Sequence, residues 1–175
     1  AASDVYKRQV KDSGVKTFII HARKGILKGL SPRQNRNIPP LNYQKVYSIK
    51  DDFPELEIII NGGIKNISEA KNHLNFVDGV MLGRAAYDDP FMLSDIDSEI
   101  YANTKIEISR KDLLTEYLDY VHLMTKKGYD PKIMLKHVFG LKKGEKDAKR
   151  FRVKVAEIMN SSSLVENKDE LLSMV

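Results

Sequence analysis

Two apolar runs that stop at glycine constrain this chain more than any other feature. Glu57-Ile58-Ile59-Ile60 runs into Asn61-Gly62-Gly63, and Val80-Met81-Leu82 runs into Gly83-Arg84, twenty residues on (83 − 63). Each reads as a strand that ends where backbone N–H groups, bare of side chain, can face an anion. Two such ends in succession are what a barrel of parallel strands uses to hold a phosphate after its last two strands. The same glycines also suit two ordinary turns that need positive φ. Taken alone, the glycines leave both readings open.

The surrounding pattern is α/β. Val10 to Val15 reads as the end of a helix stopped by Gly14. Lys16-Thr17-Phe18-Ile19-Ile20 is nearly all apolar, the pattern of a parallel strand buried on both faces. It leads into His21-Ala22-Arg23-Lys24, then a polar loop from Gly25 to Pro40 without a single acidic residue. Asn42 is placed to cap a following helix, with Leu41 and Val46 at the staple positions, and Pro54 ends it. The strand at Ile58 to Ile60, a short helix over about Ser68 to Leu74, and a strand over Val77 to Leu82 complete a β-α-β-α-β series. That order predicts a parallel sheet with crossover helices. Three strands cannot close a barrel, so the sheet is expected to continue in sequence outside this chain.

Beyond Pro90 the composition changes. Ser109-Arg110-Lys111-Asp112 resembles a capping box, and Leu113, Leu114, Tyr117, Leu118, Val121 and Met124 recur at helical spacing up to Gly128. Asp130-Pro131 starts another helix, with Ile133, Met134, His137, Val138 and Leu141 as its apolar face. A third is expected from about Glu145, with Ala148, Phe151, Val155, Ile158 and Met159 facing inward. The tail from Ser161 is expected to fray except where Leu171-Leu172 docks. The boundaries read as an unmatched opening at 1–9, a barrel part at 10–102, a helical domain at 103–160 joined through Asn103 to Ile108, and a tail at 161–175.

The chain of 175 residues is 42% hydrophobic and 30% charged, a globular profile. No apolar run is long enough to span a membrane. The chain carries no cysteine, which excludes a disulfide, a zinc-thiolate site and a cysteine nucleophile within it, and fits a reducing compartment. The first nine residues lack the apolar segment of a signal peptide. They also lack an initiator Met, and the chain reads as part of a longer protein. The net charge of +5 favours an anionic partner.

The cations cluster. Arg33 and Arg36 lie three apart in the acid-free loop; Lys149 and Arg152 lie three apart on the last predicted helix, sharing a face. Lys142, Lys143, Lys146, Arg150 and Lys154 surround the second pair. Together they suit a polyanion wider than a nucleotide; solvated surface charge is the plainer alternative. His21, at a strand end, can donate to a ring carbonyl or phosphate, or can be a solvated histidine. His73 and Tyr87 read as structural, and His122 and His137 as packing or surface groups.

These residues combine into a resemblance. Phe18-Ile19-Ile20-His21-Ala22-Arg23-Lys24, Lys28-Gly29-Leu30-Ser31-Pro32 with Asn35-Arg36, Ile38-Pro39-Pro40-Leu41, Asn61-Gly62-Gly63-Ile64, and Asp78-Gly79-Val80-Met81-Leu82-Gly83-Arg84-Ala85-Ala86-Tyr87 resemble the tRNA-dihydrouridine synthases. The similarity is greatest to the bacterial subfamily acting on uridine 20 and its neighbour 20a. It covers about Val10 to Asn160; Ala1 to Gln9 does not look like the family and is expected to be a cloning, sequencing or read-joining artefact.

The resemblance implies the C-terminal part of an FMN-binding TIM (β/α)8 barrel, its last three strands, followed by a small all-helical tRNA-binding domain. It implies that His21 contacts the FMN and that Asn61, Gly62, Gly63, Gly83 and Arg84 hold its phosphate end. It places Arg33, Arg36, Lys149 and Arg152 at tRNA, with Arg150 as the alternative to Lys149 by a one-residue slip. The family reaction is hydride transfer from reduced FMN to C6 of uridine, with a cysteine as general acid at C5 and NADPH re-reducing the flavin. No metal and no membrane are involved, the location is cytoplasmic, and the complete protein is expected to be a monomer. The family's cysteine, lysine and glutamine precede the first strand seen here, so the chain alone is expected to lack activity. Two other readings stay open: a different FMN-dependent barrel oxidoreductase, and a non-catalytic RNA-binding fragment.

Overall fold

The computed structural model describes residues 14–104, 107–161 and 164–175. The helix end expected at Val10 lies outside them, as do the opening nine residues and part of the joining region. The chain divides into two compact units, Ala1–Gly83 and Arg84–Val175. The boundary expected from composition, at 102/103, falls within the second.

In the first unit, β1 (Thr17–His21), β2 (Glu57–Asn61) and β3 (Gly79–Met81) form a parallel sheet in that order. Helices α1 (Pro32–Asn35) and α2 (Tyr43–Asp52) lie between β1 and β2, and α3 (Ile67–Leu74) between β2 and β3. The caps follow the sequence. The Asn42 side chain accepts from the Lys45 N–H at 3.0 Å, and Asn66 accepts from that of Glu69 at 2.8 Å. The short α1, which the composition of the loop did not suggest, carries a full capping box between Ser31 and Gln34.

Register fixes the two faces. Thr17, Ile19 and His21 pair with Glu57, Ile59 and Asn61, and the last two of these pair with Gly79 and Met81. Between them, Ile58 and Ile60 are fully buried and pack with Val46 and Ile49 of α2 and Ala70 of α3. Burial of such side chains contributes about 1.5–3 kcal/mol each. The expectation of a strand buried on both faces fails for β1: its residues alternate, and Ile19 is 58% exposed. Among the described residues of this unit, helices pack on one face of the sheet, and Thr17, Ile19 and His21 on the other are exposed. An apolar residue on the bare face of a parallel sheet is what part of a barrel wall presents, because the inner face is covered by the remaining strands.

The second unit is helical among the described residues. It comprises α4 (Arg84–Asp88), a 3₁₀ segment (Pro90–Asp95), α5 (Ile96–Glu99), α6 (Arg110–Lys126), α7 (Pro131–Leu135) with a 3₁₀ turn (Lys136–Val138), α8 (Ala148–Ser161) and α9 (Leu164–Leu172). The Ser109–Asp112 capping box forms as read. Leu114, Leu118, Val121, Leu135, Val138, Leu141, Phe151, Val155, Ile158 and Leu171 make one core. Ile133 does not join it and is 60% exposed: the helix is a single short turn followed by 3₁₀ geometry, so the inward positions shift to Leu135 and Val138. Helix α8 begins at Ala148, three residues later than expected, after Asp147 at φ 62°. The tail expected to fray is α9, with Leu171 fully buried and Glu170 paired to Lys154 at 2.6 Å.

Two substitutions test these packings. A Cβ on Gly140 would lie 2.5 Å from the Asp88 carbonyl oxygen and 2.9 Å from Pro90 Cδ, so Gly140→Ala should destabilise the second unit by about 1–3 kcal/mol, read by chemical denaturation; wild-type stability would show that this contact is loose. Asp78 accepts from the Ile58 N–H and from Lys50, both at 2.8 Å. Burial alone would raise its pKa, but these donors outweigh burial and hold the carboxyl below the usual aspartate range. A depressed pKa gives stability that is present above the unfolded value, about 4, and is lost as pH falls through the folded one. Solvent screens the pair, so Asp78→Ala should cost only about 1 kcal/mol at neutral pH. Its melting temperature should also fall less than that of the wild type between about pH 5 and about pH 2; parallel profiles would remove Asp78 from the acid response.

Candidate functional site

The C-terminal ends of the three strands carry the first candidate site. His21, Asn61 and Met81 form one row across the sheet, by register on its open face. The Asn61 amide lies 3.2 Å from Met81 Sδ. Immediately beyond Asn61, Gly62 and Gly63 take φ of 121° and 74°, which a side chain strains. A Cβ on Gly62 would lie 3.1 Å from His21 Cε1, and one on Gly63 would lie 2.5 Å from Leu41 Cδ1. The turn therefore needs glycine twice over, for its dihedrals and for its close neighbours. This also favours the turn reading of these two glycines without excluding the anion reading.

Gly83 differs. Its φ is not positive, and a Cβ there meets nothing within 4 Å. Gly63 and Gly83 each sit two residues past the paired row Asn61–Met81. Among the described residues, no turn or loop backbone hydrogen bond uses the N–H of Gly62, Gly63 or Gly83. The His21 ring lies beside Gly62, and backbone N–H donors at strand ends are the groups an anion uses. Arg84, the next residue, is exposed and opens α4 at the start of the second unit.

The groups that hold this end together were not singled out from sequence. One residue past β1, the Ala22 N–H donates to the Asn61 carbonyl and its own carbonyl accepts from the Asn42 N–H, both at 2.7 Å. Arg23 bridges to Leu41 and donates from Nη1 to the Pro39 carbonyl; its Nε is buried without a hydrogen-bond partner among the described residues. The Tyr43 hydroxyl donates to the Gly62 carbonyl at 2.9 Å. His73, read as structural, is 7% exposed, lies 2.6 Å from the Tyr47 hydroxyl through Nδ1, and meets the Tyr43 ring edge-on. Burial lowers the pKa of His73 against an opposing effect of Glu69. Burial, then Glu69, raises that of Tyr43 despite Arg23. An aromatic at the first residue of a helix gives no sequence sign that its tip reaches another strand's turn.

The cationic candidates divide by unit. Arg33 lies in α1 and Arg36 is its C-cap, both exposed, on a loop that Asn35 braces by bonding the Ile26 backbone in both directions at 2.8 and 2.9 Å. Lys149 and Arg152 are exposed on α8, as is Arg150. Two of their expected companions serve the fold instead: Lys154 pairs with Glu170, and Lys142 donates to the Met174 carbonyl. Tyr87 and His137 pack edge to face within the second unit. Among the described residues, no group of His, Asp or Glu could hold a metal ion, and no helix is long and apolar enough to cross a membrane.

Comparison with known proteins gives this geometry a family. A family model described as dihydrouridine synthase (Dus) matches residues 4–174, which takes in residues 4–9 of the opening stretch. The tRNA-dihydrouridine(20/20a) synthase of Pseudomonas putida is 42% identical over 144 residues, 82% of this chain and 43% of that protein. The proteins of the same name from Haemophilus ducreyi and Synechocystis sp. are 44% and 42% identical, over 80% and 82% of this chain and 43% of each relative. The chain thus spans less than half the length of the curated relatives it matches. With a match over nearly its whole length, the chain belongs to the dihydrouridine synthase family.

Proposed function

We propose that this chain is part of a flavin-dependent tRNA-dihydrouridine synthase that reduces uridine 20 or 20a of the D-loop. The observation that carries the reading is the row of His21 and Asn61 at adjoining strand ends, closed by the Gly62-Gly63 turn. In this reading residues 10–102 are barrel wall and 103–160 the tRNA-binding domain. A cytoplasmic location follows from the substrate.

When bound, FMN supplies the hydride for C6 of the uracil ring and is reduced again by NADPH. The chain's own residues bind and orient. Gly62, Gly63 and Gly83 offer backbone N–H groups to the phosphate, Arg84 adds charge, and Asn61 and His21 flank them on the open face. The proton for C5 comes from a cysteine outside this sequence, which has none. The chain alone therefore turns over no uridine. Arg33 and Arg36 from the loop, and Lys149 or Arg150 with Arg152 from α8, contact tRNA phosphates, which give affinity and orientation without reading sequence. Their exposure supports this reading over a small-molecule oxidoreductase, which needs no such surface.

Two measurements test it in the complete enzyme. Gly83→Val fills space that the fold leaves open, so it should weaken FMN binding at least about tenfold, 1.4 kcal/mol, with the melting temperature of the flavin-free protein unchanged; undiminished flavin content would take Gly83 out of the site. Replacing Arg33 and Arg36, or Lys149 and Arg152, with alanine should weaken tRNA binding while FMN stays bound. Each lost phosphate contact should flatten the slope of log K against log salt by roughly 0.7 to 0.9; wild-type slopes in both double variants would mean solvated surface charge.

A further inference from the structure

We propose that Tyr43 is a positioning residue for the anion-binding turn, its hydroxyl setting the direction in which the Gly63 N–H points. The identity of the anion rests on the flavin reading above; the device does not.

Tyr43 is the first residue of α2, and its backbone position is fixed from the β1 side. The preceding Asn42 caps the helix through Lys45 and donates its own N–H to Ala22, one residue past His21. From there the phenol crosses to the end of β2 and donates to the Gly62 carbonyl at 2.9 Å, nineteen residues away in sequence. That carbonyl belongs to the Gly62–Gly63 peptide. The peptide is planar and trans, so its C=O and N–H point in opposite directions. Holding the oxygen toward α2 turns the Gly63 N–H away from the helix. Two glycines at φ of 121° and 74° give a peptide plane otherwise free to rotate, so an external restraint has work to do here. Leu41 supplies the second wall, 2.5 Å from where a Gly63 Cβ would stand.

The tyrosine is itself held. Its ring lies edge-on to His73, centroids 4.4 Å apart. His73 is fixed by the Tyr47 hydroxyl at 2.6 Å, and Tyr47 stacks on Phe76 at 4.5 Å. The Tyr43 hydroxyl is protonated at neutral pH, as a donor must be, and burial moves its pKa further up; burial also favours neutral His73. A chain of contacts from α3 through α2 thus ends on one carbonyl of the β2 turn.

The test is Tyr43→Phe, which keeps the ring and its packing and removes only the hydroxyl, made in the 175-residue chain. Val46→Ala serves as the control: it truncates a buried residue of the same helix and removes nothing from the turn. The Gly63 amide proton and nitrogen chemical shifts, measured without ligand in the 175-residue chain, should move in Tyr43→Phe as the peptide plane loses its restraint. The FMN dissociation constant of the complete enzyme carrying the same substitution, read by quenching of flavin fluorescence, should rise about fivefold, the equivalent of one hydrogen bond. Val46→Ala should lower stability and leave both readouts near wild type. Wild-type shifts and affinity in Tyr43→Phe would overturn the inference, as would equal changes in Val46→Ala. If the complete wild-type enzyme binds no FMN, the flavin reading fails, and the Gly63 amide shifts alone decide the role of Tyr43.

Discussion

The first unit depends on the backbone of Ala22. Its N–H closes onto the Asn61 carbonyl and its carbonyl receives the Asn42 N–H. With those two bonds the end of β1, the end of β2 and the start of α2 become one junction. Ala22 is 4% exposed, and its methyl is small enough for three backbones to meet. Everything assigned to the site hangs from this point. His21 precedes it, Gly62 follows its partner Asn61, and Tyr43 follows its partner Asn42. The basic loop also begins and ends here, because the Arg23–Leu41 bridge and the bond from Arg23 to Pro39 fasten both of its ends. Such a closed loop can project Arg33 and Arg36 while its base stays fixed.

Charge is divided between building and display. Lys50, Arg110, Lys142, Lys154 and Lys168 reach internal partners: Asp78, the Leu141 carbonyl with Glu145, the Met174 carbonyl, Glu170 and Asp119. Arg110 also lies 4.0 Å over the Phe91 ring. These cations bridge elements distant in sequence, and their stems cover apolar surface while the heads find acceptors. Arg33, Arg36, Lys149 and Arg152 form no ion pair among the described residues and stand exposed. A positive net charge is therefore a weaker guide than the location of the cations left over once the fold has used its share.

What was legible in the sequence was local. Asn42 and Ser109 announce helix starts by side-chain chemistry acting within three residues, and each forms its cap. The strand ends at Asn61 and Met81, each followed within two residues by glycine, and the parallel order follow from apolar runs punctuated by glycine. What was not legible depends on partners distant in the chain. The composition of β1 suits burial on both faces, yet burial is a property of the neighbours, and helices cover only one side. Ile133 reads as core at ideal helical spacing, but α7 ends after five residues and its 3₁₀ continuation rotates the face. The docking of Leu171 was legible, but the polar stretch before it read as frayed; it is helical and held by ion pairs to α6 and α8. The Tyr43 contact spans nineteen residues with no periodicity to betray it. The cation pairs were legible from spacing and charge, whereas their tRNA role and the flavin contacts come from the resemblance.

The glycines of the site separate two kinds of necessity that a motif merges. Gly62 and Gly63 are required by the chain itself: their dihedrals lie where side chains strain, and His21, Leu41 and the Tyr43 hydroxyl occupy the space. A folded protein without any ligand would still need them. Gly83 has ordinary dihedrals and open space before it, so nothing internal calls for glycine at that position. Its reason must lie outside the chain or not exist. A ligand that brings its own atoms against the backbone is one such reason, and phosphate is the group for which bare N–H donors at strand ends are best suited. Turn geometry therefore explains Gly62 and Gly63, and among the described residues it gives no reason for glycine at Gly83.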